Sequence, residues 1–408
     1  MLKPSRKQIA AIFGAIAMGL LSAGVALAAS YQDPGITDTV IKLGGSYPFS
    51  GPGSAYGTVS EGAKAYFAVV NAKGGVNGRK IEFDVLDDAY QPSKVVSNVR
   101  ELVEQDQVFA LFNIGGTAHN LGVLDYVTRN KVPHLYLNTG ATQLAINPAE
   151  HPWTLIGIPA YGTEAATFVL YLKENKPQAK VGILFQNDSF GQDLLDNFEK
   201  AAKAQNVQIV AKEGYNPSEP SVDSEVSKLA RSGADVFVSF TIPKFAAQGI
   251  RKAAELGWHP LQMLTSVSAS IELVLKPAGL EASNGLISTA FLKDPDAPQF
   301  AADPAVKEYL AAMKQYAPQT DPVDPLPIRG WALAQVMVKA LEEMKHPTRE
   351  ALREAAMNMD TEVPMLLPGL RMQTTPSDAF PIKSLYIERF DGTRWNIEGK
   401  PIQAGMPR

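Results

Sequence analysis

From residue 40 to about 290, short runs of β-favouring apolar residues alternate with amphipathic stretches of helical length. This alternation limits the possible folds more than any other feature of the chain. The apolar runs are Val40–Leu43, Ile81–Leu86, Val108–Ile114, Pro133–Leu137, Val181–Phe185, Val236–Phe240 and Leu261–Leu264. Between them the patterning predicts helices over 57–72, 92–105, 119–130, 162–175, 191–205, 222–232 and 245–257. Several runs are apolar at consecutive positions, which suits parallel strands buried on both faces. Strand–helix alternation builds βαβ units, and hence a parallel sheet with helices on both sides. Seven or more units exceed one comfortable open sheet. The rhythm breaks at 147–162, where Asn147-Pro148, Pro152 and Pro159 fall, and the break reads as a first crossing between two similar domains.

The C-terminal third has a different texture. Asp-Pro steps at 294, 303, 321 and 324 mark loops around one helix over 304–316. A strongly apolar helix over 330–344, another over 348–358, and two short strands over 383–389 and 394–397 close the chain.

The first residues bear on location. Lys3, Arg6 and Lys7 precede an apolar run from Ile9 to Leu27, and Ala26-Leu27-Ala28 supplies the small-x-small pattern of a signal-peptidase site. The expectation is a secretory signal over 1–28, cut after Ala28. An uncleaved anchor is the alternative, because the run approaches the length of a membrane span. With 0 cysteines the chain forms no disulfide, thiolate metal site or Cys nucleophile, and no lipid-anchored export signal. A net charge of -4 provides no basic footprint for nucleic acid or anionic membrane.

Catalytic patterns are missing. The 5 histidines include no H-E-x-x-H and no pair at ligand spacing. There is also no nucleophile elbow, Walker loop or dinucleotide fingerprint. Asp87-Asp88 ends a strand, and neighbouring carboxylates on an extended chain point to opposite faces, so capping or loop roles are expected. His119, where a strand yields to a helix, reads as a surface or capping residue before a ligand contact. The loops after the strands are more suggestive: Gly44–Ser46 and Ser50–Ser54, Gly115–Thr117, and Asn138–Thr142. In a doubly wound sheet such loops gather at the carboxyl ends of the strands, where ligands bind. Backbone N–H groups at helix N-termini there make an anion site that suits a carboxylate. Gly and Thr are equally good turn and cap residues, so the case rests on three such loops occurring together.

Several stretches carry a resemblance. They include Ile41–Gly45, Ser50–Pro52 with Tyr56-Gly57, Gly74–Lys80, Val132-Pro133, Gly140–Thr142, Gln186–Asp188 with Phe190-Gly191, and Pro364–Gly369. In these the chain resembles the periplasmic ligand-binding proteins of ABC importers of the branched-chain amino acid type, the periplasmic binding protein type I fold. The resemblance implies an α/β fold of two doubly wound Rossmann-like lobes, joined by three crossover strands, with the ligand cleft between them. It places an N-terminal lobe over 38–157 plus 286–380 and a C-terminal lobe over 158–285 plus 381–408. It implies hinge closure on one small ligand, no cofactor or metal, no enzymatic activity, a periplasmic monomer, and permease subunits as partners.

By position, the resemblance puts Tyr56 on the ligand and a hydroxyl at Gly116 or Thr117 on its carboxylate. Gly140, Ala141 and Thr142 complete that site, and Tyr161 belongs to the second lobe's share of the cleft. Thr241, Ser266 and Ser268 shape the remainder. One departure stands out. Amino acid binders of this family pair the ligand ammonium with a second-lobe acid, whereas Thr265–Ser270 has no carboxylate before Glu272, and Thr241–Lys244 offers a cation. A buried ammonium without a counter-charge is costly. The expected ligand is therefore an organic acid, aromatic or short aliphatic. Hydrophobic amino acids come second within the class, and a sensor without transport is the alternative of another class. Arg329 either grips a carboxylate as a bidentate partner or is a surface or hinge arginine.

Overall fold

The computed structural model describes residues 33–404, so the signal expected over 1–28 lies outside the described residues. The first lobe is built on β1 (Val40–Tyr47), β2 (Lys80–Asp87), β3 (Ala110–Phe112), β4 (His134–Leu137) and β5 (Thr154–Ile156). These form a 5-stranded sheet in the order β2-β1-β3-β4-β5, every pair parallel. Helices α1 (Thr58–Ala72), α2 (Pro92–Arg100) and α3 (Thr117–Arg129) connect the strands. All residues of β3 and β4 are buried, as consecutive apolar runs predict for central parallel strands.

The second lobe opens with α4 (Tyr161–Asn175). It continues through β6 (Lys180–Gln186), α5 (Ser189–Gln205), β7 (Gln208–Tyr215), α6 (Asp223–Arg231), β8 (Val236–Phe240) and α7 (Pro243–Glu255). Next come β9 (Leu261–Leu264), the short α8 (Lys276–Ala278) and β10 (Ile287–Ala290). Helices α9 (Pro304–Tyr316), α10 (Pro325–Glu343) and α11 (Arg349–Ala356) follow, with the small ribbon β11 (Asp360–Thr361) and β12 (Met372–Gln373). Finally β13 (Leu385–Phe390) and β14 (Trp395–Ile402) add antiparallel strands to the edge of a 7-stranded sheet, ordered β14-β13-β10-β9-β8-β6-β7.

Local chemistry sets the helix boundaries. The Asp188 carboxylate accepts from the Phe190 and Gly191 amides at the start of α5, and Asn206 ends that helix at φ +57°. Asp324 caps α10 in the same way, with Pro325 at the first helical position. Helix α10 packs against α1 so closely that two glycines are required. A Cβ on Gly330 would lie 1.8 Å from the Val59 carbonyl oxygen, and one on Gly62 would lie 1.9 Å from that of Pro327.

The patterning omits β5, β7 and β10, together with the small β11–β12 ribbon. β5 lies inside the Pro-marked break and has only Thr-Leu-Ile to announce it. β7 is an edge strand whose alternating Gln208–Tyr215 pattern is only partly buried. β10 corrects a boundary: the chain was expected to return to the first lobe at 286, yet Ile287–Ala290 pairs with β9 and β13 in the seven-stranded sheet. The second crossing therefore comes after Ala290. Apolar Ile287 and small Ser-Thr-Ala give no signal that separates a last strand from a linker.

His134 on β4 shows how the core titrates. It is 0% exposed, its Nδ1 lies 3.3 Å from the Thr154 hydroxyl, and its Nε2 has no partner. Burial pulls its pKa down to about 3. A depressed histidine gives stability that is present above its unfolded pKa of ~6.5 and lost as pH falls toward the folded value. Relative to His134→Leu, the wild type is expected to lose about 1.4 kcal/mol per pH unit below ~6.5. Urea melts of both proteins from pH 7.5 to 5 check this, and parallel curves would refute it.

Candidate functional site

The loops at the carboxyl ends of both sheets converge where doubly wound folds bind ligands. From the first lobe come Pro48 and Tyr56 after β1, Tyr90 after β2, Gly115 and Gly116 after β3, and Asn138 after β4. The second lobe brings Tyr161 at the head of α4, Phe190 after β6, Ile242 after β8 and Val267 after β9. Arg329, in the first turns of α10, completes the lining as its one charged residue. The cavity between them is narrow, about 20 Å³, room for roughly one water.

Aromatic rings fill the rest. Tyr56 and Tyr90 lie 6.3 Å apart, and Tyr161 meets Phe190 edge-on at 5.3 Å and 70°. Burial pushes the Tyr161 phenol up to about 12 and the Tyr56 phenol higher still, so both are neutral hydrogen-bonding groups. His119 lies beneath Tyr90 at 4.8 Å, 3% exposed, and is a core residue rather than a surface one. Gly116 adopts φ +85°, and a Cβ there would come within 2.2 Å of the His119 ring, so only glycine lets this turn open α3.

Arg329 is 2% exposed. Its Nη1 donates to Asn138 Oδ1 at 3.3 Å and its Nη2 to the Ser266 carbonyl at 3.1 Å, while Nε has no partner. Burial draws its pKa below the ordinary value, opposed by Tyr56, Tyr161, Glu164 and Asp324. The open choice for Arg329 is thereby narrowed: it is a buried cleft residue and not a surface one.

Of the residues singled out from sequence, the structure brings Tyr56, Gly116, Tyr161 and Arg329 together in this lining. The others stand behind it, each for a physical reason. Thr117 is 1% exposed and its hydroxyl pairs with that of Thr139 at 2.8 Å. Gly140 is pressed against the first crossing, its carbonyl accepting from Tyr161 N at 2.8 Å, and Ala141 is fully buried. The Thr142 amide, expected to meet a ligand carboxylate, donates at 2.6 Å to the Asp193 carboxylate from the other lobe, and Asn197 donates to its hydroxyl at 3.2 Å. Burial raises Asp193 to about 6. The expected anion site is thus occupied by the protein's own acid.

In the second lobe, the Thr241 hydroxyl pairs with Ser239 at 2.8 Å and the Thr241 carbonyl accepts from the Ser268 hydroxyl at 2.6 Å. Ser266 turns to a neighbouring cavity. Lys244 is exposed, over the Phe245 ring at 4.7 Å, and contributes no cation to the cleft. Asp87 and Asp88 serve the loops, Asp87 accepting from the Phe49 amide at 2.8 Å and Asp88 from the Ser46 hydroxyl at 2.9 Å.

Sequence reasoning missed Tyr90, Phe190, Ile242 and Val267 as lining. Phe190 sat within a quoted motif, and Ile242 and Val267 within the second-lobe loops already singled out, whereas Tyr90 has no local signal. It also missed Glu164, 2% exposed on α4. Its carboxylate accepts from the Thr265 hydroxyl, the Ser266 amide and the Thr289 hydroxyl at 2.7, 2.7 and 2.6 Å. The second-lobe loop therefore does have an acid beneath it, with its oxygens already engaged. Among the described residues no group of three or more His, Cys, Asp or Glu is placed to hold a metal ion.

The family of this fold follows from comparison. A model described as periplasmic binding protein matches residues 40–394, and the chain belongs to that family of solute-binding receptors. The chain is 24% identical over 336 residues to Leu/Ile/Val-binding protein homolog 7 of Brucella abortus (strain 2308), covering 79% of this chain and 82% of that protein. Its fold is similar to a branched-chain amino acid ABC transporter protein of Thermus thermophilus solved with bound valine, at TM-score 0.82 and 18% identity, covering 91% and 99% of the two chains. It is also similar to a fatty acid ABC transporter substrate-binding protein of Thermomonospora curvata, at TM-score 0.76 and 24% identity, covering 92% and 95%.

Proposed function

We propose that this protein is a periplasmic receptor of an ABC importer that closes its lobes on a small carboxylate-bearing ligand, an organic or aromatic acid, and delivers it to the permease. The observation that carries this reading is the charge of the cleft: Arg329 is its one ionic lining residue, buried, with Nε unpartnered. A cation in a low-dielectric cleft favours an anion, and guanidinium–carboxylate pairs are strong and directional. Tyr56, Tyr90, Tyr161 and Phe190 offer faces and edges to an apolar or aromatic body. The bonds Thr142–Asp193, Gln186–Tyr90 and Arg329–Ser266 link the lobes and are the kind of contact that hinge closure makes.

A hydrophobic amino acid is the second reading, favoured by the names of the relatives. It needs a partner for the ammonium, and Val267 and Ile242 face the cleft where an acid would serve. The test is calorimetry with matched carboxylates and primary amides, alongside leucine and valine. Carboxylates are expected to bind and their amides not to. Arg329→Met, which keeps an apolar filling of similar length, is expected to weaken carboxylate binding by about 10–100-fold. Binding of leucine with affinity unchanged in Arg329→Met would overturn the acid reading.

A further inference from the structure

A second and larger chamber, about 240 Å³, adjoins the cleft. Arg329 belongs to the lining of both. Its apolar lining comes from Ile271, Phe291, Ile328 and Trp395. The opposite character comes from Glu388 on β13 and Asp294 in the second crossing. Glu388 has no hydrogen bond or ion pair from its carboxylate among the described residues. Burial, then the charges of Asp294 and Glu164, push its pKa well above the ordinary carboxylate range.

The cations of the chamber are committed elsewhere. Lys276 pairs with Glu272, Lys293 pairs with Asp303 at 2.7 Å, and Arg329 bonds Asn138 and Ser266. Outside the lining, the charge of Arg394 favours the ionised form of Asp294. Beside two other acids the Glu388 carboxyl keeps its proton, and it becomes a carboxylate only when a positive group joins it. Arg329, 2% exposed, offers the complementary feature at the shared wall: its free Nε awaits an acceptor.

We infer that the chamber behind Arg329 receives the cationic end, an alkylammonium or guanidinium group, of a ligand whose acid end lies at Arg329. This rests on the carboxylate reading of the cleft for the ligand's other end, while the chamber's own preference stands on Glu388. The apolar lining holds the alkyl stem, and Glu388 with Asp294 neutralises the charge. The ligand is then an amphoteric chain with its two charges separated by a stem, and not an α-amino acid, whose charges are adjacent.

The experiment compares butylammonium, butanol, hexanoate and 6-aminohexanoate on the full mature chain at constant ionic strength. Butylammonium at 10 mM is expected to raise Tm by about 2 °C where butanol does not, and Glu388→Gln is expected to lose that rise. In calorimetry, 6-aminohexanoate is expected to bind about tenfold tighter than hexanoate, the ratio falling to about one in Glu388→Gln. No shift with butylammonium, together with equal affinity for the two acids, would overturn the inference, as would a preference that survives Glu388→Gln. A shift with butylammonium when no carboxylate binds would sustain the chamber and sink the carboxylate reading instead. Carboxylate binding that depends on Arg329 but shows no preference for the amine would do the reverse.

Discussion

Gly330→Ala is expected to destabilise the protein by about 3–4 kcal/mol, above the usual overpacking loss because the obstacle is backbone. The added methyl would lie 1.8 Å from the Val59 oxygen, 2.8 Å from its carbonyl carbon and 3.1 Å from the Ala63 amide. None of these is a flexible side-chain end that can swing away. Relief requires α10 to withdraw from α1, and α10 brings fully buried Trp331, with Tyr309 and Tyr66 packed on it at 5.3 and 4.8 Å. Gly62, facing Pro327 from α1, is expected to behave in the same way. Denaturant melts give the measurement. A Gly330→Ala protein within about 1 kcal/mol of wild type would mean that α1 and α10 separate at little cost, and would refute the prediction.

Glu164→Ala is expected to cost about 3–5 kcal/mol, because a buried charged acceptor leaves three donors behind. Those donors sit on the loop after β9 and on β10, so α4 and two strands of the second lobe lose a common anchor. Glu164→Gln keeps the shape but replaces one acceptor oxygen with a donor facing donors, and an intermediate loss is expected. The Ser266 carbonyl bonds Arg329, so ligand affinity should fall together with stability. Equal Tm for wild type and Glu164→Ala would show that the carboxylate merely fills space.

Much of the architecture was legible in advance, because the burial pattern of a parallel strand is a local property. The runs at Val236–Phe240 and Leu261–Leu264 coincide with β8 and β9, and the helix expected over 304–316 coincides with α9. β5, β7, β10 and the two-residue strands β11 and β12 have no such pattern, because they are short, at an edge, or polar. The apolar helix was placed five residues late because Asp324 and Pro325 were read as loop punctuation, whereas they are the cap and first residue of α10. That offset matters, since Arg329 lies within the helix and its side chain is thereby held in the cleft.

The candidate site divides along the same line. Glycines and hydroxyls after the strands pointed to the carboxyl ends of the sheets, and Tyr56, Gly116, Tyr161 and Arg329 line one cavity there. Their neighbours were misassigned because a free amide and an engaged one look identical in a sequence. Thr142 and Asp193 stand 51 residues apart, and Glu164 stands 125 from Thr289. By itself the sequence determined the strand–helix alternation and the glycines that permit close approach, both carried by residue type and spacing, but it offered two cations, Lys244 and Arg329, without deciding between them. Only the tertiary structure decided which polar groups are engaged within the protein, because that depends on which partners the fold brings within hydrogen-bond reach, and those partners lie far away along the chain.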